Sequence, residues 1–563
     1  MADRTSTVDA PDTAGDDRPA PRARTVLTRT VLAWTTSVLA LLLVWFVLVA
    51  PDRIGELTPL ALLRIPVEGL ALVALALALP RRPRAVLVAI TGVLLGVLAV
   101  LRVLDIGFRA TLDRPFDPVS DWSYLGPAMG VLRDSIGDGA ATLVAVVAVV
   151  MGVALLVLVP LSLLRLTRLT GRHRTGTARA VAGLAAVWVI CLLLGVQLVP
   201  GVPVASGTAA AAAYDHTRAV VDRVEDQQTF VAKASEDSAD AIPADRLLTA
   251  LRGKDVLIAF VESYGRVALE SPVASPPVVA ALDAEGAQLS AAGFGSRSAF
   301  LTSPTFGGIS WLAHSTLQSG LWVDNQQRYD QVLAGNRFTL SDAFARAGWR
   351  TVGVVPSNEN DWSQGTSFYG YDALYDARNV GYRGPQFGYA KVPDQYTLAA
   401  LQRRELAASD RRPVMAEIDL ASSHSPWAPL PSMVGWDKLG DGTVFDPMPA
   451  RGLTARQVWK DPRLVQTEYG HAVAYSVSSL LSYVKTYGGD DLVLIMLGDH
   501  QPATVVSGEG AGHDVPITVV AKDRSVLRDI AGWGWQDGVR PGPAAPVWPM
   551  DSFRDRFLAA FGS

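Results

Sequence analysis

Three short stretches in the C-terminal half hold residues that could do chemistry together. "DVLIAFVES" ends on Glu262 and Ser263, "LGDHQP" contains Asp499 and His500, and "FGGISWLAHSTLQSGL" carries Ser310. Two carboxylates and one imidazole offer a mixed oxygen and nitrogen donor set, which suits Zn²⁺ or Mn²⁺ better than Ca²⁺. Ser310 follows Gly307 and Gly308, which let the backbone turn tightly and approach a ligand. The spacing predicts a helix over 311–319, with Ser310 at its N-terminus, where free N–H groups favour phosphate. A serine there either caps the helix or, on a divalent metal, becomes a nucleophile. His314 lies one turn further on, on the same face. The single cysteine, Cys191, sits in an apolar run, so neither a disulfide framework nor an exposed thiol nucleophile is expected.

Such residues need a scaffold that brings them together. From 250 onward, short apolar segments alternate with helical patterns. Strands are expected at 255–263, 350–357, 413–422, 491–499 and 514–522, with helices at 338–348, 394–408 and 465–486. Continuous apolar runs suit strands buried on both faces, and the alternation implies an α/β domain with a mostly parallel central sheet. Ligands in such sheets bind beyond the carboxyl ends of the strands. Glu262, Asp499, His500 and the Ser310 loop should therefore meet at one edge.

The N-terminal half has a different character. Residues 1–25 read as a disordered cytoplasmic tail. Five apolar runs follow near 27–50, 57–79, 85–104, 140–164 and 180–200. Each is close to the ~20 residues a bilayer requires, so a five-helix transmembrane domain is expected over 26–200. Arginines flank the first run (Arg18, Arg22, Arg24, Arg29), fill the 81–84 loop and crowd the 165–179 loop. These basic segments mark the cytoplasmic side, and an odd number of spans puts a 201–250 linker and the 251–563 domain outside. Arg64 and Glu68 fall inside the second run, four apart and so on one helix face, where charges need a partner or a function. The 105–138 loop contains Trp, Tyr and Leu residues suited to a helix lying in the outer interface. A net charge of −4 gives no sign of a polyanion-binding surface, so no nucleic-acid partner is expected.

Taken together, these residues resemble the alkaline phosphatase superfamily, with its sulfatase-like domain. Members place Glu after the first strand, a Ser or Thr nucleophile at a helix start, and Asp-His after a late strand. "SWLAHSTLQSGL" looks like the nucleophile helix of the nucleotide pyrophosphatase branch, where Thr is followed four residues on by His and ten on by Gly, as Ser310, His314 and Gly320 are here. The plan of five spans plus an external domain resembles the lipoteichoic acid synthases and lipid A phosphoethanolamine transferases. By that resemblance Glu262, Ser310, Asp499 and His500 hold one divalent metal. His424 in "LASSHSPW" and His513 in "GHDVPITVV" contact the substrate phosphate, with His314 and Trp362 in "NENDW" as further contacts. Thr305 is an alternative nucleophile, because the lipoteichoic acid synthases use Thr.

Two departures from the family sharpen the reading. The sulfatase maturation motif needs Pro or Ala two residues after the nucleophile and Arg four after it, and those positions are Leu312 and His314. A true sulfatase is not expected. Two-metal members carry an Asp four residues before a His; Asp419 and His424 are five apart, which argues against a second metal. The resemblance implies a membrane-anchored phosphotransferase of phosphoglycerol or phosphoethanolamine type. It would take a head group from a membrane phospholipid donor to an envelope glycan or lipid acceptor through a Ser-linked phospho-enzyme. A hydrolase of the same superfamily, with water as acceptor, is the alternative within enzymes. A non-catalytic envelope protein is the alternative outside them.

Overall fold

The computed structural model describes residues 21–563, so most of the expected tail, with Arg18, lies outside the described residues. By its internal contacts the chain forms two compact units. The first takes in the chain up to Pro51, Leu57–Val100 and Gly152–Ala211; the second takes in Asp52–Glu56, Leu101–Met151 and Ala212–Ser563.

Helices α1 (Pro21–Val49), α2 (Val67–Ala78), α3 (Arg81–Leu112), α4 (Leu125–Ile136), α5 (Asp138–Thr170) and α6 (Arg174–Leu193) account for the apolar half. Among the described residues, four helices are long and apolar enough to cross a membrane: α1 from Thr28, α3, α5 and α6. The 57–79 run differs from a single long helix. It forms a 3₁₀ turn (Leu60–Leu63), two extended residues (Ile65–Pro66) and then α2, only 12 residues long. The physical reason is Pro66, which disfavours helix at the residue before it and starts a new one after it. Arg64 and Glu68 therefore do not share a helix face. Arg64 donates to the carbonyls of Val49 and Ala61, and Glu68 accepts the N–H of Ala210.

The second unit is built on a nine-stranded sheet. Its strands are β1 (Asp255–Val261), β2 (Gly295–Thr302), β3 (Arg350–Val355), β4 (Ala373–Asp376), β5 (Val414–Leu420), β6 (Leu492–Gly498), β7 (Asp514–Ala521), β8 (Gln536–Asp537) and β9 (Val547–Pro549). The order is β8-β2-β7-β6-β1-β5-β3-β4, with β9 also on β2. Strands β6, β1, β5, β3 and β4 are mutually parallel. β7 runs antiparallel to both β6 and β2, so the sheet is mixed and mostly parallel. β1 and β6 are buried along their whole length, as continuous apolar runs require. Two cores form on the two sheet faces, one around Leu257, Val414 and Leu480 and one around Ile258, Leu317 and Phe557.

Further helices complete the unit: α7 (Thr208–Ser235), α8 (Ser275–Ala291), α9 (Ser310–Ser319), α10 (Asp394–Leu401), α11 (Pro462–Tyr487) and α12 (Arg524–Asp529). Register sets the edge that matters. Val261 pairs with Gly498 and with Leu420, so Glu262, Asp499 and the turn after β5 emerge side by side. Because β7 is reversed, its first residue, Asp514, pairs with Thr302 at the end of β2. That puts His513 at the same edge.

Candidate metal and nucleophile site

Ser310 is the first residue of α9, and the cap position is Ile309, whose side chain can accept no hydrogen bond. The serine hydroxyl is thus free of capping work. It donates to Glu262 Oε2 at 2.9 Å and lies 3.3 Å from His500 Nε2. The turn before it is tightly wound. Gly307 has φ +70, and Ile309, a β-branched residue, is held in the left-handed region at φ +67. Such a conformation costs about 1–3 kcal/mol and persists only where its surroundings over-determine it.

Each ligand atom is aimed by a second hydrogen bond. Nδ1 of His500 faces the Gln501 carbonyl at 2.8 Å, which assigns the ring proton to Nδ1 and leaves the Nε2 lone pair toward Ser310. Asp499 Oδ1 accepts the N–H groups of Ser263 and His500, both at 2.7 Å, so Oδ2 faces the site. Glu262 Oε1 accepts from the Ser263 hydroxyl at 2.8 Å. One ligand atom each from Glu262, Asp499 and His500 lies within 4.8 Å of the others. Burial, and then the charge of Glu262, push the Asp499 carboxyl up to about 7. A buried carboxylate and a partly buried one beside a buried imidazole lack positive charge, and a divalent cation fits that deficit as well as the donor types.

The remaining expected residues fall in different places. Thr305 is buried, and its hydroxyl donates to the Gly308 carbonyl at 2.7 Å, where it braces the turn. His424 stacks on Tyr389 with ring centres 3.7 Å apart. His513 stands beside Phe306, its Nδ1 3.3 Å from the Ser303 carbonyl; Ser303 in turn donates to the Asp499 carbonyl at 2.6 Å. Trp362 packs on Tyr369 within an apolar cluster that includes Leu312 and Trp311.

His314 turns away from Ser310. Its Nδ1 lies 2.8 Å from Glu417 and 3.5 Å from Asp419, and its ring stacks on Phe260 at 3.7 Å. Gln318 donates to the other Glu417 oxygen. Burial alone lowers the imidazole's pKa, but Asp419 and Glu417 outweigh it and hold it raised to about 9. His314, Glu417 and Asp419 form a second donor group. Its own imidazolium supplies the balancing charge, and Asp419 partners His314 rather than His424.

One wall of the site was not foreseen. It comes from residues 105–124 of the second unit. A Cβ on Gly307 would overlap the carbonyl oxygen of Thr111, so only glycine fits there. Thr504 donates to the Ala110 carbonyl, and Tyr124 lies 6.2 Å from Trp311, ring centre to ring centre. The segment is held by ionic contacts. Arg114 grips Asp121 in bidentate fashion at 2.6 and 2.7 Å, Arg223 of α7 reaches Asp117 at 2.6 Å, and His216 of α7 reaches Asp105 at 3.0 Å. Polar residues inside this loop were the available sign.

No protein-family model matches the chain, and no curated protein does. Solved structures give likenesses. The chain is similar to the lipoteichoic acid synthase LtaP from Listeria monocytogenes, at 14% identity over 60% of this chain and 80% of that one, with a TM-score of 0.35. It is similar to the soluble domain of lipooligosaccharide phosphoethanolamine transferase A from Neisseria meningitidis, at 12% identity over 57% and 93%, TM-score 0.36. It is also similar to the phosphoglycerol transferase GacH from Streptococcus pyogenes, solved with sn-glycerol-1-phosphate, at 10% identity over 61% and 91%, TM-score 0.35.

Proposed function

We propose that this protein is a membrane-anchored, metal-dependent phosphotransferase. It moves a phosphoglycerol or phosphoethanolamine head group from a membrane phospholipid to an envelope glycan or lipid through a phospho-Ser310 intermediate. The observation that carries the reading is the Ser310 hydroxyl lying against both Glu262 and His500.

Glu262, Asp499, His500 and Ser310 would hold one divalent cation, Mn²⁺ or Zn²⁺, which when bound lowers the hydroxyl's pKa and draws charge from the phosphoryl oxygens. Ser310 Oγ forms a bond to the donor's phosphorus and gives its proton to Glu262, its hydrogen-bond acceptor. The bond from phosphorus to the lipid alcohol breaks, and that alcohol takes a proton from His424 or His513. In the second half the acceptor hydroxyl attacks phosphorus, Ser310 leaves, and the protons return. The helix N-terminus at Ser310 favours the phosphate oxygens throughout. His314 acts as a positioning residue, tying α9 to β5 through Glu417. Trp362 packs with Trp311 on the apolar cluster that backs α9 through Leu312.

In this reading the apolar helices anchor the protein in the cytoplasmic membrane with the catalytic unit outside. The test is intact-mass and peptide mass spectrometry of the full-length protein incubated with Mn²⁺ and phosphatidylglycerol or phosphatidylethanolamine. A head-group phosphate on the Ser310 peptide supports the reading and names the donor. Free head-group phosphate with no transfer to an added acceptor shifts it to the hydrolase. Turnover with no Ser310 adduct, even under rapid quench, overturns the covalent route.

A further inference from the structure

At the opposite end of the sheet from Glu262 lies a concave site. Gly295 pairs with Ala521, and β6 begins next to Ala521, so this end is remote from the catalytic edge. There α8, the start of β2, α12 and the segment after β8 enclose an open cleft of about 680 Å³. That volume falls within the ~300–1,000 Å³ of ordinary ligand sites.

Its lining is strongly biased in charge. Arg297, Arg524, Arg528 and Arg540 face two carboxylates, Asp283 and Asp537. Asp283 is taken by Arg540 at 2.9 and 3.3 Å. Asp537 is largely exposed and lies 3.6 Å from Arg297. The Nε of Arg297 is buried with no acceptor. Arg524 reaches only the Gly293 carbonyl, at 3.4 Å, and neither Arg524 nor Arg528 pairs with a carboxylate among the described residues. These two stand four residues apart on α12, so like charges share one helix face, an arrangement that destabilises a helix. Gly295 makes room for it, because a Cβ there would overlap the Arg524 guanidinium. Phe294 and Leu527 lend the cleft an apolar floor, which lowers the local dielectric and strengthens any ionic contact.

We infer that this cleft binds a ligand carrying closely spaced phosphate groups, held by Arg297, Arg524 and Arg528. A guanidinium presents paired N–H donors that match phosphate oxygens. A tetrahedral phosphate can engage three guanidiniums from different directions, whereas a planar carboxylate has two oxygens to share. The chain's net charge of −4 conceals the site, because the excess arginines come from separate segments that the fold gathers. The same chemistry is offered by a small polyphosphorylated molecule or by a polymer with phosphate repeats.

Titration calorimetry on the full-length protein in detergent tests this. The Asp499→Asn background removes a ligand of the catalytic site, so that phosphate binding there does not interfere. The probes are inorganic tripolyphosphate and long-chain inorganic polyphosphate. One tripolyphosphate per chain is expected, weakened about tenfold or more in Arg524→Ser/Arg528→Ser. Binding of the long chain alone, lost in the same variant, assigns the site to a polymer. Arg451→Ser/Arg463→Ser removes two exposed arginines elsewhere and should leave binding unchanged. No binding of either probe, or equal losses in the two double variants, overturns the proposal. Melting temperatures check that all variants fold.

Discussion

The Ser310 hydroxyl donates a 2.9 Å hydrogen bond to Glu262, a residue 48 positions earlier in the chain. The bond joins the first residue of α9 to the residue that follows β1, and it leaves no capping role for the serine.

Ser310→Ala should therefore lower turnover by about 10³-fold or more while the melting temperature changes little, because a covalent nucleophile is lost and no cap is. Thr305→Val removes the bond to the Gly308 carbonyl, costs about 1 kcal/mol of stability and leaves most activity. An active Ser310→Ala enzyme beside a dead but folded Thr305→Val enzyme would transfer the role to Thr305.

Metal content is the second measurement. Asp499→Asn and Glu262→Gln each delete an anionic donor, and elemental analysis of purified protein should show at least about tenfold lower occupancy at limiting Mn²⁺ or Zn²⁺. Full occupancy in either variant would show that the ion sits elsewhere.

Gly307→Ala probes the wall built by residues 105–124. The new methyl group meets the Thr111 carbonyl at a positive φ, so the turn before Ser310 must shift. Loss of activity together with roughly 1–3 kcal/mol of stability is expected. Thr504→Val removes only the bond to Ala110 and should cost about 1 kcal/mol. An unaffected Gly307→Ala enzyme would mean that the wall does not constrain the nucleophile.

Asp394 predicts a pH dependence of stability. It is wholly buried, its Oδ1 accepts the Ser422 N–H at 3.0 Å and its Oδ2 has no partner. Burial pushes its carboxyl from 3.8 up to about 6. A pKa raised in the folded state contributes stability below pH 3.8 that is lost as pH rises through 6. Between pH 4 and 7.5, Asp394→Asn should therefore gain about 2 kcal/mol relative to the parent, read from melting curves across that range. A pH-independent difference would mean that the Asp394 carboxyl is not raised in the folded state.

The side of the membrane on which the second unit lies is set by labelling, since among the described residues four apolar helices are long enough to cross a membrane and one is short. In a Cys191→Ser background, Lys438→Cys should react with an impermeant maleimide in intact cells and Arg82→Cys should not. The reverse pattern would invert the topology.

Hydropathy and composition, which report local free energies, were enough to mark the apolar helices, the buried strands β1, β3, β5 and β6, and acids placed just after strand ends. Glu262, Asp499 and His500 were legible for that reason: a polar residue directly after a fully buried strand has few places to go but the sheet edge. Pairing is not a local property. β7 has the same apolar run whichever way it points, and only its hydrogen bonds to β6 and β2 make it antiparallel and carry His513 to the site. Nothing near His314 in sequence reveals that Glu417, 103 residues away, takes its ring. Nor does the chain around Gly307 announce Thr111. A missing side chain has meaning only against the backbone that fills its place, and that neighbour is chosen by tertiary packing.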